Sequence, residues 1–533
     1  MKRKTGHRSW LALIVVMLLV VAACSGGNVS QEDFDEVQAE LDQAKADLEG
    51  AQGQVSTGAE AEQIVQAGEL AAPVEASVAI GDDGWSTAES VRGGLWLVAE
   101  FDSSGPDAWD IAAHPRVYYS SESYASNYFE DTDAGISLAA DPGFENFAGY
   151  HVVDAYSKEV VFSGLYKFGA KGETETTRGP HGVGVSPDGQ WAYVGWSETP
   201  VGGEDRTNYV AIINARTGKM DKLLKQESWW EGGMRGQALH HIQAWTDIDG
   251  NDYVILQWGF GATGGPHTIL DPNDNNRVVR AITYEDVSPM GHPFTTPSPD
   301  GKWVYVSVGS NQIRAAESPS AGVAKVNVDT GEVIYIMGTG HHPIGITHTQ
   351  DGKFTYVVDG HASELYKIDN ELNEVVDATS AGVAGPYGIC LDWDETHAWI
   401  DGKGEGTHNV GNSMGIVNLV DFDAESNMGN MPFHLGGSAS SVDHCALHPD
   451  PEVNEIWVSN MKGWETMVIN LDSLTVTDYI ATPHGGDTHG MAFVWYDGGW
   501  ENGELQGDMG GPKSASFRAE VATRAAAAAA ESG

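Results

Sequence analysis

The chain has 533 residues, 41% of them hydrophobic, enough for a large globular domain with appendages. Lys plus Arg number 29 against 76 Asp plus Glu, a net charge of −47. So acidic a surface repels phosphate backbones and anionic headgroups, which argues against nucleic acid and electrostatic membrane docking and leaves solubility, cations or a basic protein.

The first residues, "MKRKTGHR" and then "WLALIVVMLLVVAAC", join a positive segment to an apolar run too short for a comfortable membrane span. Val21, Ala22 and Ala23 before Cys24 resemble the lipobox of a bacterial lipoprotein signal. That resemblance implies a signal peptide over 1–23, lipidation of Cys24, and a body held outside the cytoplasmic membrane by its lipid anchor. In 24–52 a polar leash precedes Phe34, Val37, Leu41, Ala44 and Leu48, whose spacing predicts a short helical, coiled-coil stalk. Residues 53–90 read as linker and 501–533 as a flexible, Ala-rich tail.

Between them, 91–500 repeat. "GPHGVGVSPDGQWAYVGW", "GHPFTTPSPDGKWVYVSVG", "HHPIGITHTQDGKFTYVVDG", "GPYGICLDWDETHAWIDGKG" and "SVDHCALHPDPEVNEIWVSN" each read as strand, tight turn and a second strand rich in Trp, Tyr and Val. "ALHHIQAWTDIDGNDYVILQW" is a looser copy. Four short strands per unit at a period of about 45–65 residues predict the blades of an all-β propeller. Six begin near His181, His240, His292, His342, Tyr387 and His444. A seventh begins at "GDTHGMAFVWYDGG" and is completed by N-terminal strands around "HPRVYYSS" and "YHVVDAYSKEVVFSG". Seven blades are expected, with eight as the alternative.

Histidines gather at the entries to the innermost strands: His114, His181, His240 and His241, His292, His341 and His342, His444 and His489. In a propeller these entries face one another around the channel. Imidazole in such number, without thiolate, points to copper, and seven or more imidazoles to a multinuclear centre. Inward carboxylates would instead suit a single cation such as calcium in a hydrolase. Which member of each His pair faces the channel stays open. Asp443 and Asp487 would orient neighbouring imidazoles. Loops on the same face carry Lys403, Glu405 and His408, with His267 and His361 nearby, and Lys403 and Glu405 would orient an anion or move protons. Cys390 and Cys445 would pair or remain buried thiols; no CxxC or CxxCH occurs, which excludes a c-type haem and a thiolate zinc site.

The histidine-entered propeller resembles the catalytic domain of nitrous oxide reductase and its relative thiocyanate dehydrogenase. The resemblance implies a multinuclear copper site held by His114, His181, His240 or His241, His292, His342, His444 and His489. It also implies an oxidoreductase acting on a small inorganic nitrogen or sulfur compound. The sequence lacks the cysteines of a cupredoxin copper site, so electrons would pass through an external carrier such as a cytochrome c or a cupredoxin. "SPDGQWAYV" and "SPDGKWVYV" also resemble the YVTN-repeat proteins, which implies the alternative of a non-catalytic surface propeller binding a protein, a glycan or a metal.

Overall fold

The computed structural model describes residues 76–77, 89–90, 95–123, 147–167, 174–178, 182–200, 207–226, 238–260, 267–282, 294–308, 321–405, 411–429, 431, 441–483, 488–508, 513–514 and 517–524. The signal segment with Cys24, the stalk, His181, His292, His408 and Asp487 lie outside these residues. Among those described, no helix is long and apolar enough to cross a membrane.

Seven sheets, antiparallel except where Ala76–Ser77 runs parallel to Val160–Lys167, form a seven-bladed β-propeller. Blades 2 to 6 are four-stranded, with inner strands Ala238–Thr246, Thr295–Pro297, Pro343–His348, Ile389–Leu391 and Val442–Leu447. Blade 1 has the inner strand Val183–Val185 and gains Leu95–Glu100 beside its outer strand Lys219–Gln226. Blade 7 closes the ring: its inner strand Met491–Tyr496 pairs with Arg116–Ser123, from Met491 opposite Ser120 to Trp495 opposite Arg116. The two ends of the propeller sequence are thus joined by one hydrogen-bonded ladder, which replaces two exposed sheet edges.

One turn recurs at the end of the inner strands. In blade 1 the Asp188 carboxylate accepts the Gln190 N–H at 3.0 Å, and the Ser186 hydroxyl accepts the Trp191 N–H at 2.9 Å. Ser298 with Asp300 and Thr349 with Asp351 repeat the pattern in blades 3 and 4. The following glycine sits at φ +71°, +68° and +71° in the three blades, a left-handed conformation that a Cβ disfavours. Aromatic and β-branched side chains of the second strands then pack between blades, as where Trp457 meets Tyr118 and Phe493 at 4.6 and 5.2 Å between ring centroids.

The segment after residue 500 is not simply a tail. Gly503–Asp508 pairs with the free edge of the blade 7 inner strand and lies against the inner strands of blades 2 and 6, inside the channel. Leu505 N–H donates to the Pro187 carbonyl at 2.9 Å, fixing it at the turn end of the propeller. A helix over 517–524 follows, capped by the Ser514 hydroxyl at 3.1 Å from Phe517 N. Phe517 stacks on Trp393 at 4.1 Å, and Val521 is buried beside it. The short segment is held at the turn end because the blades offer it a ready-made edge and an aromatic seat. Cys390 and Cys445 form a disulfide between the inner strands of blades 5 and 6, with Cα atoms 6.1 Å apart.

Candidate metal centre

The end of the channel opposite the recurring turns holds a buried polar cluster built by irregular inner strands. In blade 2 the pairing register slips between Leu239 and His241, a β-bulge. A regular strand would turn these neighbours to opposite faces; the bulge aims both His240 and His241 at the axis. Their Nε2 atoms each lie 3.2 Å from the Tyr387 hydroxyl of blade 5. Blade 6 slips likewise between Val442 and Cys445, freeing Asp443 and His444 from the ladder, and the Ser459 hydroxyl accepts the His444 N–H at 2.9 Å. The imidazoles of His241 and His444, from blades 2 and 6, stand 4.6 Å apart between centroids, and His489 of blade 7 stands 5.5 Å from His444.

Asp443 ties the cluster together. Its Oδ2 lies 2.6 Å from His489 Nε2 and 3.5 Å from His444 Nε2, while its Oδ1 takes the Lys403 ammonium at 2.9 Å. Lys403 also lies 3.6 Å from Glu405 and 3.7 Å above the Tyr387 ring centroid. Glycine is required at residue 388: a Cβ there would stand 2.3 Å from Asp401 Oδ2 and 2.6 Å from the Asp443 carbonyl.

Burial sets the protonation states. Burial would raise Asp443, but His489, Lys403 and His444 outweigh it and keep the carboxylate ionised, below its ordinary range. Burial first, and then the neighbouring His489 and Lys403 charges, bring His444 down to about 3 despite the pull of Asp443. Burial and the surrounding His240, His444, His489 and Lys403 push His241 well below its usual value. Asp401, fully buried beside Gly388, is raised well above the carboxylate range by burial and then by Asp443, so it is a neutral acid.

Among the described residues, Asp443, His444 and His489 offer ligand atoms within 4.8 Å of one another. His444, held neutral by burial, and the ionised Asp443 are deprotonated donors of the kind a metal needs, so the donor set fits an ion that accepts imidazole and carboxylate, such as copper or zinc.

Of the histidines singled out in the sequence, His240, His241, His444 and His489 meet at the axis, and Lys403 and Glu405 join them. His342 is fully buried at the blade 4 entry, its N–H on Asp359 at 2.9 Å, while His341 is exposed. His267 is buried on the third strand of blade 2, and His361 stands 6.2 Å from His341. His114 is a correction: it lies at the turn end and pairs with Asp154 at 2.9 Å. Arg116–Ser123 is a second strand, antiparallel to Met491–Tyr496, so its beginning faces away from His489. Tyr387 was visible in the sequence as "GPYG" in place of "GPHG", but as a departure from the pattern and not as a member of the cluster. Asp443 was read as an outer partner; it stands among the imidazoles.

No protein-family model and no curated protein matches the chain. The chain is similar in fold to solved propellers. Hydrazine synthase of Kuenenia stuttgartiensis is 16% identical over 62% of this chain and 92% of that one, with a TM-score of 0.42. The dihydro-heme d1 dehydrogenase NirN is 13% identical over 75% and 80%, with a TM-score of 0.41. A putative 6-phosphogluconolactonase of Bacteroides fragilis is 11% identical over 71% and 98%, with a TM-score of 0.44. Fold and site together define the chain as a seven-bladed β-propeller with a buried imidazole–carboxylate cluster on its axis.

Proposed function

We propose that the chain is a copper-dependent oxidoreductase of the cell exterior, acting on a small inorganic nitrogen or sulfur compound. The observation that carries this reading is the convergence of His240, His241, His444 and His489 from three blades, with His241 and His444 rings 4.6 Å apart across the channel. Copper bound there would supply one-electron redox capacity and Lewis acidity. Lys403, held between Asp443 and Glu405, would attract and orient an anion. Glu405, with 15% of its side chain exposed, would carry a proton between the cluster and solvent. The C-terminal strand and helix sit at the turn end, and substrate would enter from the histidine rim. Lipid anchoring at Cys24 and exchange of electrons with a cytochrome c or cupredoxin complete the proposal, on the strength of the lipobox and the resemblance of the rim.

The test is turnover by the copper-loaded chain with an added electron carrier, thiocyanate and nitrous oxide first. Turnover that requires copper and falls on Lys403→Ala supports the reading; a copper-loaded chain inert towards both, with every carrier tried, counts against it. One observation favours a second reading. Asp443, His444 and His489 alone are a carboxylate and two imidazoles, a set that suits a single zinc ion in a hydrolase. Metal analysis separates the two.

A further inference from the structure

We propose that the axis holds two chemically different metal positions, and that Tyr387 is a ligand, through its phenolate oxygen, of the second. The inference rests on the metal-binding reading above and deepens it. The first position is Asp443 with His444 and His489. The second is the point between the Tyr387 hydroxyl and the Nε2 atoms of His240 and His241, each 3.2 Å from the oxygen.

Three features assign a ligand role rather than a packing one. Metal–nitrogen bonds of about 2.0–2.1 Å at near-tetrahedral angles separate neighbouring donors by roughly 3 Å, the spacing found here. The β-bulge that aims consecutive histidines at one phenol interrupts the ladder of blade 2, a cost that simple packing of Tyr387 does not require. Lys403, 3.7 Å over the ring, favours negative charge on the phenol oxygen electrostatically. On metal binding the O–H bond of Tyr387 breaks, the oxygen–metal bond forms, and the proton leaves to solvent. No electron moves in this step. The two positions adjoin through His241 and His444, so the pair is a dinuclear unit with a phenolate at one end and a carboxylate at the other.

The experiment is titration of the full-length, chelator-stripped chain with copper(II), following bound copper by mass spectrometry and the visible absorption. Wild type is expected to bind at least two coppers and to develop a phenolate-to-copper charge-transfer band. Tyr387→Phe is expected to lose the band and one copper. Tyr387→His, which keeps a donor, is expected to keep the copper and lose the band. Asp443→Asn is expected to keep the band and lose a copper at the other position. A wild-type chain that binds copper without the band, or a Tyr387→Phe chain that keeps its full complement, overturns the phenolate ligand while leaving the copper reading intact. A folded wild-type chain that binds none overturns both.

Discussion

Asp443 Oδ2 and His489 Nε2 are 2.6 Å apart at the axis of the propeller, although the two residues belong to different blades and both are buried. The same carboxylate holds the Lys403 ammonium at 2.9 Å. One side chain therefore fixes an imidazole, pairs with a lysine and would offer an oxygen to a metal. Asp443→Asn keeps the shape and removes the charge. Copper affinity in a chelator competition is expected to fall by about 10–100-fold or more. The metal-free chain is expected to lose about 1–3 kcal/mol, since the largely buried Lys403 ammonium keeps only the more distant Glu405 carboxylate at 3.6 Å. An Asn variant as stable and as avid for copper as wild type would remove Asp443 from the centre.

Glu395 gives the fold a pH dependence remote from the axial histidine cluster. Burial raises its carboxyl to about 7 from an ordinary 4.5, partly offset by the Gln350 N–H, with Asp351 and Asp392 adding to the rise. The folded state therefore binds the proton more tightly than the unfolded one. Its contribution to stability is complete below about pH 4.5 and is lost as pH rises through about 7, by at most about 3 kcal/mol. Glu395→Gln keeps an acceptor for the Gln350 N–H, which bonds at 2.7 Å. It is expected to be the more stable form at pH 8 and indistinguishable from wild type at pH 4, in paired denaturant titrations. Parallel curves at both pH values would refute this.

The C-terminal helix docks on the turn end of blade 5 through one aromatic stack. Phe517 is 4% exposed and packs on Trp393 at 4.1 Å. Phe517→Ala is expected to cost about 3–5 kcal/mol and to shift the fluorescence of Trp393 towards that of exposed indole. An unchanged spectrum would mean that the helix does not dock on this face.

Cys390 and Cys445 cross-link blades 5 and 6 over a sequence separation of 55. Chain-entropy arguments put the stabilisation at about 4 kcal/mol. Non-reducing peptide mapping is expected to show the linked pair, and the double Ala variant to unfold at lower denaturant. Free thiols in the folded, air-exposed chain would contradict it.

The fold was legible because a single local device repeats. Ser186–Asp188–Gly189 and its copies at Ser298 and Thr349 mark the inner turns of blades 1, 3 and 4, and the Trp, Tyr and Val that follow mark the second strands. The rim histidines were legible as a group for the same reason. Their individual roles were not. Bulges at His240 and Asp443 leave the alternation of apolar and polar residues unchanged in the sequence while re-aiming side chains in space. Sequence therefore could not say that His240 and His241 both face inward. His114 was misplaced because a histidine before a strand looks the same whichever way the strand runs. Gly503–Asp508 was missed because its apolar content is one leucine, and its strand state comes from the edge it joins.

The most direct measurement is the metal content of the purified full-length chain after copper supply and exhaustive dialysis, alongside a thermal melt with and without copper. Two or more coppers per chain, with a melting temperature that rises on loading, is the expected result. A folded chain that retains no copper, or holds a single zinc instead, would contradict the copper centre.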